Sequence, residues 1–474
     1  MVEIFNKCAN QGVYPEILKV GKITPLFKTG DKVIDDNYRP ITVLTQINKI
    51  FEKLIHKRMM SFTNENKLLT NCQFGFRKGH STSHGITHVN ERITDHLEKK
   101  RVCAALFIDL KAAFDTVDLN ILIKKLEHYG FRGKILNLLV SYLNNRKQYV
   151  KCGDIESCLL DVVCGVPQGS VLGPLLFILY INDIDKCSNF ECILFADDAA
   201  MLLAAENMKV LKKIINKEVK YLHEWLITSK LTLNLKKTKY MLFANKNVLS
   251  RKMRKKFKVT IGKYTIHEID QIEYLGIILD NNQNWNYHAE FLVTKLSSAA
   301  GAMYRIRNSI PLEARLLVYN ALVASYLQYS ITAWGTCSST ILNRLQNLQD
   351  RIVRYMTYSP PHSNLDLKYK TLKILKVNEL HFYETAKFMY KVYHNQLPLA
   401  FHDYFQAITH SYNTRTRINV GFALPRPRTE RGKRSLKYSG IEVWACVPDR
   451  MKSMSLAAFK YHLKAHIIEQ SGNS

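Results

Sequence analysis

Apolar and polar positions change rhythm three times along the chain. Through about residue 100, short apolar runs alternate with basic and turn-forming groups such as Lys28-Thr-Gly-Asp31 and Asn37-Tyr-Arg-Pro40. Within that region Ile47, Ile50, Phe51, Leu54, Ile55 and Met59 recur at helical spacing, which predicts an amphipathic helix over 45–62. From about 101 to about 285, strand-like runs alternate with helical stretches. Val102–Ile108 is apolar throughout and predicts a strand, whereas Leu119–Tyr129, stopped by Gly130, predicts a helix. That order predicts a mixed sheet with helices on one side. Beyond about 286 helical stripes dominate, as in Ile341, Leu345, Leu348, Ile352, Val353 and Met356 after Ser339 and Thr340. Between about Asn413 and Ser439, eight basic residues from Arg415 and Arg417 to Lys437 are interrupted by Pro425, Pro427 and Gly432. The expectation there is an extended basic segment, not a helix, with a last amphipathic helix over 455–468.

One apolar run is broken by charge at its centre. In Cys192–Ala204, Asp197 and Asp198 divide two apolar flanks, a pattern that predicts a tight hairpin with both carboxylates at its tip. Neighbouring carboxylates in a partly dry site share a proton or hold a cation; in water the same pair is only a turn. Asp109 closes the run 102–108, so a third carboxylate stands at a strand end that can lie beside the hairpin. Three such groups can bind two hard divalent ions, leaving positions open for phosphates. Such a metal pair suits an in-line phosphoryl displacement. Asp115 and Asp118, just before the Leu119 helix, read as helix caps. Gly165-Val-Pro-Gln-Gly169 lies between the two acidic elements, where glycines allow close backbone approach and Gln168 can hydrogen-bond a base or template strand.

Composition narrows the partner. Lys and Arg number 68 against 40 Asp and Glu, a formal net charge of +28, which favours a polyanion. The longest apolar stretch, roughly Val171 to Ile181, is well short of the ~18 residues a membrane span needs, so no membrane partner is expected. No secretory signal is visible at the N-terminus, and an intracellular protein is expected. Ten cysteines without a CxxC pair support neither zinc nor a disulfide framework; most are expected to be buried. A chain of 474 residues implies two or three domains or lobes.

The motifs taken together are more specific. Phe107-Ile-Asp-Leu-Lys-Ala-Ala-Phe-Asp115, Gly165-Val-Pro-Gln-Gly169, Phe195-Ala-Asp-Asp198, Leu233-Asn-Leu-Lys-Lys-Thr238 and Tyr274-Leu-Gly276 follow one another in an order that resembles the palm motifs of reverse transcriptases of non-LTR (LINE-type) retrotransposons. Ile23-Thr-Pro-Leu-Phe-Lys-Thr-Gly-Asp31, Asn37-Tyr-Arg-Pro-Ile41 and Gln73-Phe-Gly-Phe-Arg-Lys-Gly-His-Ser-Thr82 resemble the fingers motifs of that family. The resemblance covers about residues 15–285, and the later segment resembles, in texture, the extension of jockey-like elements.

The resemblance implies an α+β right-hand polymerase fold. Fingers would occupy 1–100, a palm of antiparallel sheet and helices with some fingers elements 101–285, a helical thumb 286–360 and a basic C-terminal extension 361–474. It makes Asp109, Asp197 and Asp198 catalytic carboxylates holding two Mg²⁺ ions, or Mn²⁺ in their place. Lys28, Arg39, Phe114, Gln168 and Gly169 would surround the incoming deoxynucleotide, with Phe114 excluding a ribose 2′-hydroxyl. Arg77, Lys78, Tyr274 and Gly276 would line template and primer, although Tyr274 reads equally as a core aromatic. Lys237, or Lys236 beside it, would assist proton transfer to pyrophosphate. The implied partners are an RNA template, a DNA primer or target DNA, and dNTPs, in nucleus and cytoplasm. Arg251–Lys258 reads as a basic strand connection or a nuclear-import signal, and the C-terminal Arg and Lys residues as contacts to nucleic-acid backbone.

Met1 stands about twenty residues before the first of these motifs, leaving no room for the endonuclease that such elements carry. A polymerase portion is therefore expected. The competing readings are a catalytically inactive RNA-binding relic and, less favoured, an intron-associated maturase.

Overall fold

The computed structural model describes residues 1–245, 257–406 and 421–470. After helix α1 (Val2–Gln11), strands β1 (Val20–Phe27) and β2 (Tyr38–Val43) form an antiparallel pair with Leu26 opposite Arg39. Helix α2 (Gln46–Glu65) begins where the Thr45 hydroxyl accepts the Asn48 N–H at 3.3 Å. Of its apolar stripe only Phe51, Ile55 and Met59 are buried; Ile47, Ile50 and Leu54 stay exposed. Helix α3 (Thr82–Glu98) and β3 (Val102–Ile108) follow, then α4 (Leu119–His128), capped by Asp118 and ended by Gly130 at φ 94°. Helix α5 (Lys134–Leu143) leads to β4 (Lys147–Cys152), which pairs in parallel with β1. Short strands β5 (Ile155–Glu156) and β6 (Leu160–Asp161) complete this outer sheet, ordered β2-β1-β4-β5 with β6 on β4.

The apolar stretch near Val171 becomes α6 (Gly173–Tyr180), buried all round. Next come β7 (Glu191–Phe195), β8 (Asp198–Ala205), α7 (Met208–Thr228), β9 (Lys239–Phe243), β10 (Val259–Ile261) and β11 (Tyr264–Glu268). They build a central six-stranded sheet ordered β10-β11-β9-β3-β8-β7, antiparallel except for the β9–β11 pair. A separate hairpin, β12 (Gln271–Tyr274) and β13 (Ile277–Asp280), lies beyond it.

The sheet is mixed, as expected, but it is covered on both faces. Cys103, Ala105 and Phe107 of β3 pack with α3 and the β12–β13 hairpin, whereas Val102, Ala104, Leu106 and Ile108 share a core with α4, α6 and α7. A strand with two buried faces needs no polar alternation, which is why Val102–Ile108 is apolar throughout.

The remainder is helical: α8 (Asn286–Ile306), α9 (Leu312–Tyr319), α10 (Ser339–Thr357), α11 (Val377–Tyr393), α12 (Leu436–Cys446) and α13 (Leu456–Gln470), with shorter turns between them. One core runs without a break from Phe107 and Ile193 through Leu296, Leu345 and Met389 to Trp444 and Leu463.

The basic segment near the C-terminus departs from expectation. Residues Glu430–Arg434 are helical and Leu436 opens α12. The Thr429 hydroxyl caps the first turn, and buried Glu91 of α3 accepts the N–H groups of Leu436 and Lys437, so carboxyl oxygens satisfy a helix start. Gly432 breaks nothing: a Cβ there would lie 2.6 Å from Pro427 and 2.7 Å from Glu98, so it is small because the chain docks closely. Arg428, Arg431 and Lys437 are used within the chain, on Leu97 O, Asn282 O and Asp95. Arg415, Arg417 and residues 251–256 lie outside the described residues.

All ten cysteines are free, but only Cys103, Cys192 and Cys337 are buried; Cys152, Cys158, Cys164 and Cys446 face solvent. The first two of these flank the thin β5 strand of the outer sheet, which has no second layer to cover them. Among the described residues no helix is long and apolar enough to cross a membrane.

Candidate active site

The central hairpin differs from expectation by one residue. Its two-residue turn is Ala196-Asp197, while Asp198 already pairs with Phe195 as the first residue of β8. The two carboxylates therefore point differently: Asp197 from the turn, Asp198 from a pleated strand. Ala196 takes φ 57°, a left-handed conformation costly for any residue but glycine.

A neighbouring segment holds that turn. Residues 72–74 pair with β7: Phe74 N–H donates to Leu194 O at 2.7 Å, and Leu194 N–H to Cys72 O at 2.8 Å. Gln73, 1 % exposed, turns its Oε1 to accept the N–H groups of Gly75 at 2.8 Å and Ala196 at 3.2 Å. Gly75 is pressed so closely on the hairpin that a Cβ would stand 2.5 Å from Ala196 N. Nothing in residue pattern alone marked Gln73, although it opens a quoted motif.

Asp109 follows β3 directly. Its carbonyl accepts the Asn234 N–H at 2.8 Å, which locks the 233–238 turn beneath it. Lys237 Nζ stands 3.7 Å from Asp109 Oδ2, so of the two adjacent lysines it is Lys237 that faces the carboxylates. The third element is the β1–β2 hairpin, which carries Lys28 and Arg39. Lys28 is held below the usual lysine range by burial, then by Lys237 and Arg39, with Asp109 and Asp197 opposing. Asp197 is raised by burial and by Asp109, while Arg39 and Lys28 counter the rise. Asp198 keeps an exposed edge, yet burial of its carboxyl, then Asp197 and Asp109, push it up to about 6. Three carboxylates and three cations from four separate chain segments thus share one cleft.

Among the described residues no three His, Cys, Asp or Glu side chains converge tightly enough to form a complete cage for a metal ion. The donor chemistry fits a hard divalent cation all the same: oxygen ligands only, with Asp109 raising the proton affinity of Asp197 and both raising that of Asp198. Such ions take one or two protein carboxylates and complete their shell with phosphates and water.

The Gly165–Gly169 loop bridges two regions. Gln168 O accepts the Thr42 N–H of β2 at 2.7 Å, and Val166 N–H donates to Phe114 O at 2.8 Å. Gly169 takes φ 111° and a Cβ would meet Thr42 O at 2.5 Å, so glycine is required on both counts. The Gln168 side chain donates to Asp115 Oδ2 at 2.8 Å. Asp115 is therefore not a helix cap, as expected for it; its carboxyl is raised by burial and steadied by Gln168. Thr42, Asp115, Arg146, Gln148 and Gln168 line a cavity of about 350 Å³. Phe114 stacks on Phe177 at 4.4 Å and meets Phe76 edge-on at 6.4 Å, leaving it half-buried at the cleft side.

Three expected contact residues are otherwise engaged. Arg77 Nη1 donates to Thr70 O at 2.7 Å and Gln73 O at 3.1 Å, which fastens the segment under the hairpin. Tyr274 is 5 % exposed against Phe107, so it is the core aromatic of the two readings. Gly276 takes φ 81°, and a Cβ added there would meet the Tyr329 ring at 3.4 Å. Lys78 is exposed. A further residue escaped the sequence reading: buried Glu52 of α2 accepts from Val171 N–H at 2.6 Å and Tyr142 OH at 2.9 Å, anchoring the end of the Gly165–Gly169 loop. A glutamate flanked by Phe51 and Ile55 on the buried face was its signal.

Known proteins resemble this chain in sequence. Residues 28–279 match the family described as reverse transcriptase (RNA-dependent DNA polymerase). The probable RNA-directed DNA polymerase from transposon X-element of Drosophila melanogaster is 29% identical over 371 residues, 75% of this chain and 39% of its own length. The RNA-directed DNA polymerase from mobile element jockey of Drosophila funebris is 27% identical over 376 residues, 76% of this chain and 40% of its own. The chain thus spans about two fifths of the length of these curated relatives. The apo telomerase of Candida tropicalis matches 80% of this chain and 66% of its own at 13% identity, with a TM-score of 0.42. The family match takes in every carboxylate and cation of the cleft and more than half of all residues, and the chain belongs to the reverse transcriptase (RNA-dependent DNA polymerase) family.

Proposed function

We propose that this chain is the polymerase portion of a non-LTR retrotransposon, copying an RNA template into DNA from a DNA 3′-hydroxyl with deoxynucleoside triphosphates. The supporting observation is the cleft in which Asp109, Asp197 and Asp198 face Lys28, Arg39 and Lys237. In this reading residues 1–100 act as fingers, 101–285 as palm, 286–360 as thumb and 361–474 as an extension.

Asp109, Asp197 and Asp198 would hold two Mg²⁺ ions, or Mn²⁺, which supply Lewis acidity at the attacking and leaving oxygens. Arg39 and Lys28 would orient the triphosphate through its charge, with guanidinium fork and ammonium point charge as complementary tools. The primer 3′-hydroxyl would lose its proton to solvent as the new bond joins O3′ to the α-phosphorus, and the bond to the bridging oxygen of pyrophosphate would break. Lys237, 3.7 Å from Asp109, would give that leaving oxygen a proton. The Phe114 ring would stand where a ribose 2′-hydroxyl needs room. Gln168 and Gly169 would present backbone and amide to the base pair, and Arg77 would act by fastening the hairpin, with Lys78 exposed for template.

Purified protein given poly(rA)/oligo(dT), dTTP and Mg²⁺ should extend the primer, and Asp197→Ala should abolish extension. Incorporation no higher than in that variant would sink the proposal. Retained RNA binding in the same preparation would then favour the inactive RNA-binding reading.

A further inference from the structure

Away from the carboxylates, the junction of α8, α9 and α10 gathers cations and aromatic rings in an arrangement that the cleft does not use. Arg307 lies with its guanidinium carbon 4.0 Å from the centre of the Tyr304 ring and 5.6 Å from that of Tyr355. Arg315 covers Tyr358 at 4.8 Å. Arg315 is only 8 % exposed, yet its Nε and Nη1 have no hydrogen-bond partner among the described residues, nor does Nε of Arg307 or Arg354. Buried guanidinium N–H groups without acceptors are costly and call for one. Beside them an open pocket of about 700 Å³ is lined by Arg307, Arg351, Arg354, Tyr355 and Tyr358, inside the roughly 300–1,000 Å³ range of ligand sites. The one carboxylate lining it, Asp350, is already taken by Gln346 and Tyr369.

A second observation is backbone strain. Tyr358 ends α10 in the left-handed region, at φ 52° and ψ 31°, where glycine is the usual residue. A tyrosine held there at a cost of about 1–2 kcal/mol presents its ring outward, 55 % exposed, with its hydroxyl fixed on Arg307 O at 2.6 Å. Tyr304 is exposed to a similar degree. Excess guanidinium groups want phosphate or carboxylate; free ring faces want a flat partner. Together they specify a nucleotide, and one whose base is not already stacked in a duplex.

We propose that this pocket binds unpaired nucleotides of a nucleic-acid strand, phosphate on Arg307, Arg351 and Arg354 and base on Tyr358. The site stands independently of polymerase activity. Its test uses the full chain in EDTA without dNTPs, so failure to polymerise and failure to bind here are separate results. A labelled template–primer duplex bearing a single-stranded rU or dT extension is compared with the blunt duplex by fluorescence anisotropy, in parent, Tyr358→Gly and Arg351→Ala proteins. Glycine relieves the strain at 358 and Arg351 is exposed, so both variants should fold. The affinity gained from the extension should fall about tenfold in each, with blunt-duplex binding changed less than twofold. Arg351→Ala should also lower the salt slope by about 0.7. A loss confined to rU assigns the strand as RNA, and one confined to dT assigns it as DNA. Thiouridine-bearing strands should crosslink within residues 304–358. An unchanged gain in both variants, crosslinks only elsewhere, or displacement by polyglutamate as effective as by oligo(dT) would overturn the proposal.

Discussion

Replacing Gly75 by alanine tests whether the carboxylate hairpin depends on the segment packed behind it. Gly75 has no left-handed backbone requirement, so alanine is conformationally permitted and the effect is steric. The added Cβ would stand 2.5 Å from Ala196 N, 0.9 Å inside the 3.4 Å at which ordinary contact begins, and 3.1 Å from Phe195 C and Gln73 Oε1. The hairpin atoms it meets, Ala196 N and Phe195 C, are backbone and cannot rotate away as a flexible side chain would. The hairpin must therefore move by several tenths of an ångström, at about 1–3 kcal/mol of stability. Displacement of a reacting group by about 1 Å costs on the order of 100-fold in rate, so kcat for primer extension should fall between about 10- and 100-fold. Gly85→Ala in α3 is the matched control, because its Cβ would meet Leu275 at an ordinary 3.5 Å. Single-turnover extension of poly(rA)/oligo(dT) reads the effect, with urea unfolding to separate activity from folding. A Gly75→Ala protein whose rate stays within threefold of the parent would refute the argument that this contact places Asp197.

Further outcomes follow from other contacts. Phe114→Val should erode the preference for dTTP over rUTP about tenfold, and an unchanged ratio of kcat/KM values would leave Phe114 with packing on Phe177 alone. Lys237→Gln should lower kcat about 100-fold with KM for dTTP little altered; a rise in KM alone would make it a binding residue. Glu91 has a carboxyl pushed up to about 7 by burial, with Lys437 and the N–H groups of Leu436 and Lys437 opposing and Asp95 adding to it. The native state thus holds a proton that the unfolded chain has released, so this contribution to stability is full below the ordinary carboxylate range and is lost as pH rises through 7. The loss is at most about 1.4 kcal/mol per pH unit. Glu91→Gln should remove that part of the decline in urea midpoint between about pH 5 and about pH 8, and parallel declines in both proteins would contradict it.

Motif order and strand positions were legible because chemistry and periodicity coincide there: a run such as 102–108 ending in Asp109 has few alternatives. The hairpin was read one residue out of register, since apolar flanks mark a turn without fixing which residues take it. Ala196 and Asp197, not Asp197 and Asp198, take the two turn positions because Gln73 and Gly75 hold Ala196 there, and a contact across more than a hundred residues leaves no local trace. Asp115 and Asp118 look alike in sequence, yet one caps a helix and the other meets Gln168; only the docked loop separates them. The basic C-terminal stretch misled for the same reason. Prolines and arginines suggest a solvated strand until Glu91, Glu98 and Asp95 of α3 are known to receive them.

The unbroken core from the central sheet to α13 bears on how such a gene decays. Ile86, Val89, Ile93 and Leu97 of α3 belong to the same core as residues from α8 to α13. A copy interrupted late in its coding sequence would still spell all three carboxylates, yet its product would carry a bare apolar wall behind them and be drawn to aggregation and proteolysis before any chemistry. The reading frame of the last hundred residues is therefore as informative about a copy's competence as the carboxylate motif itself.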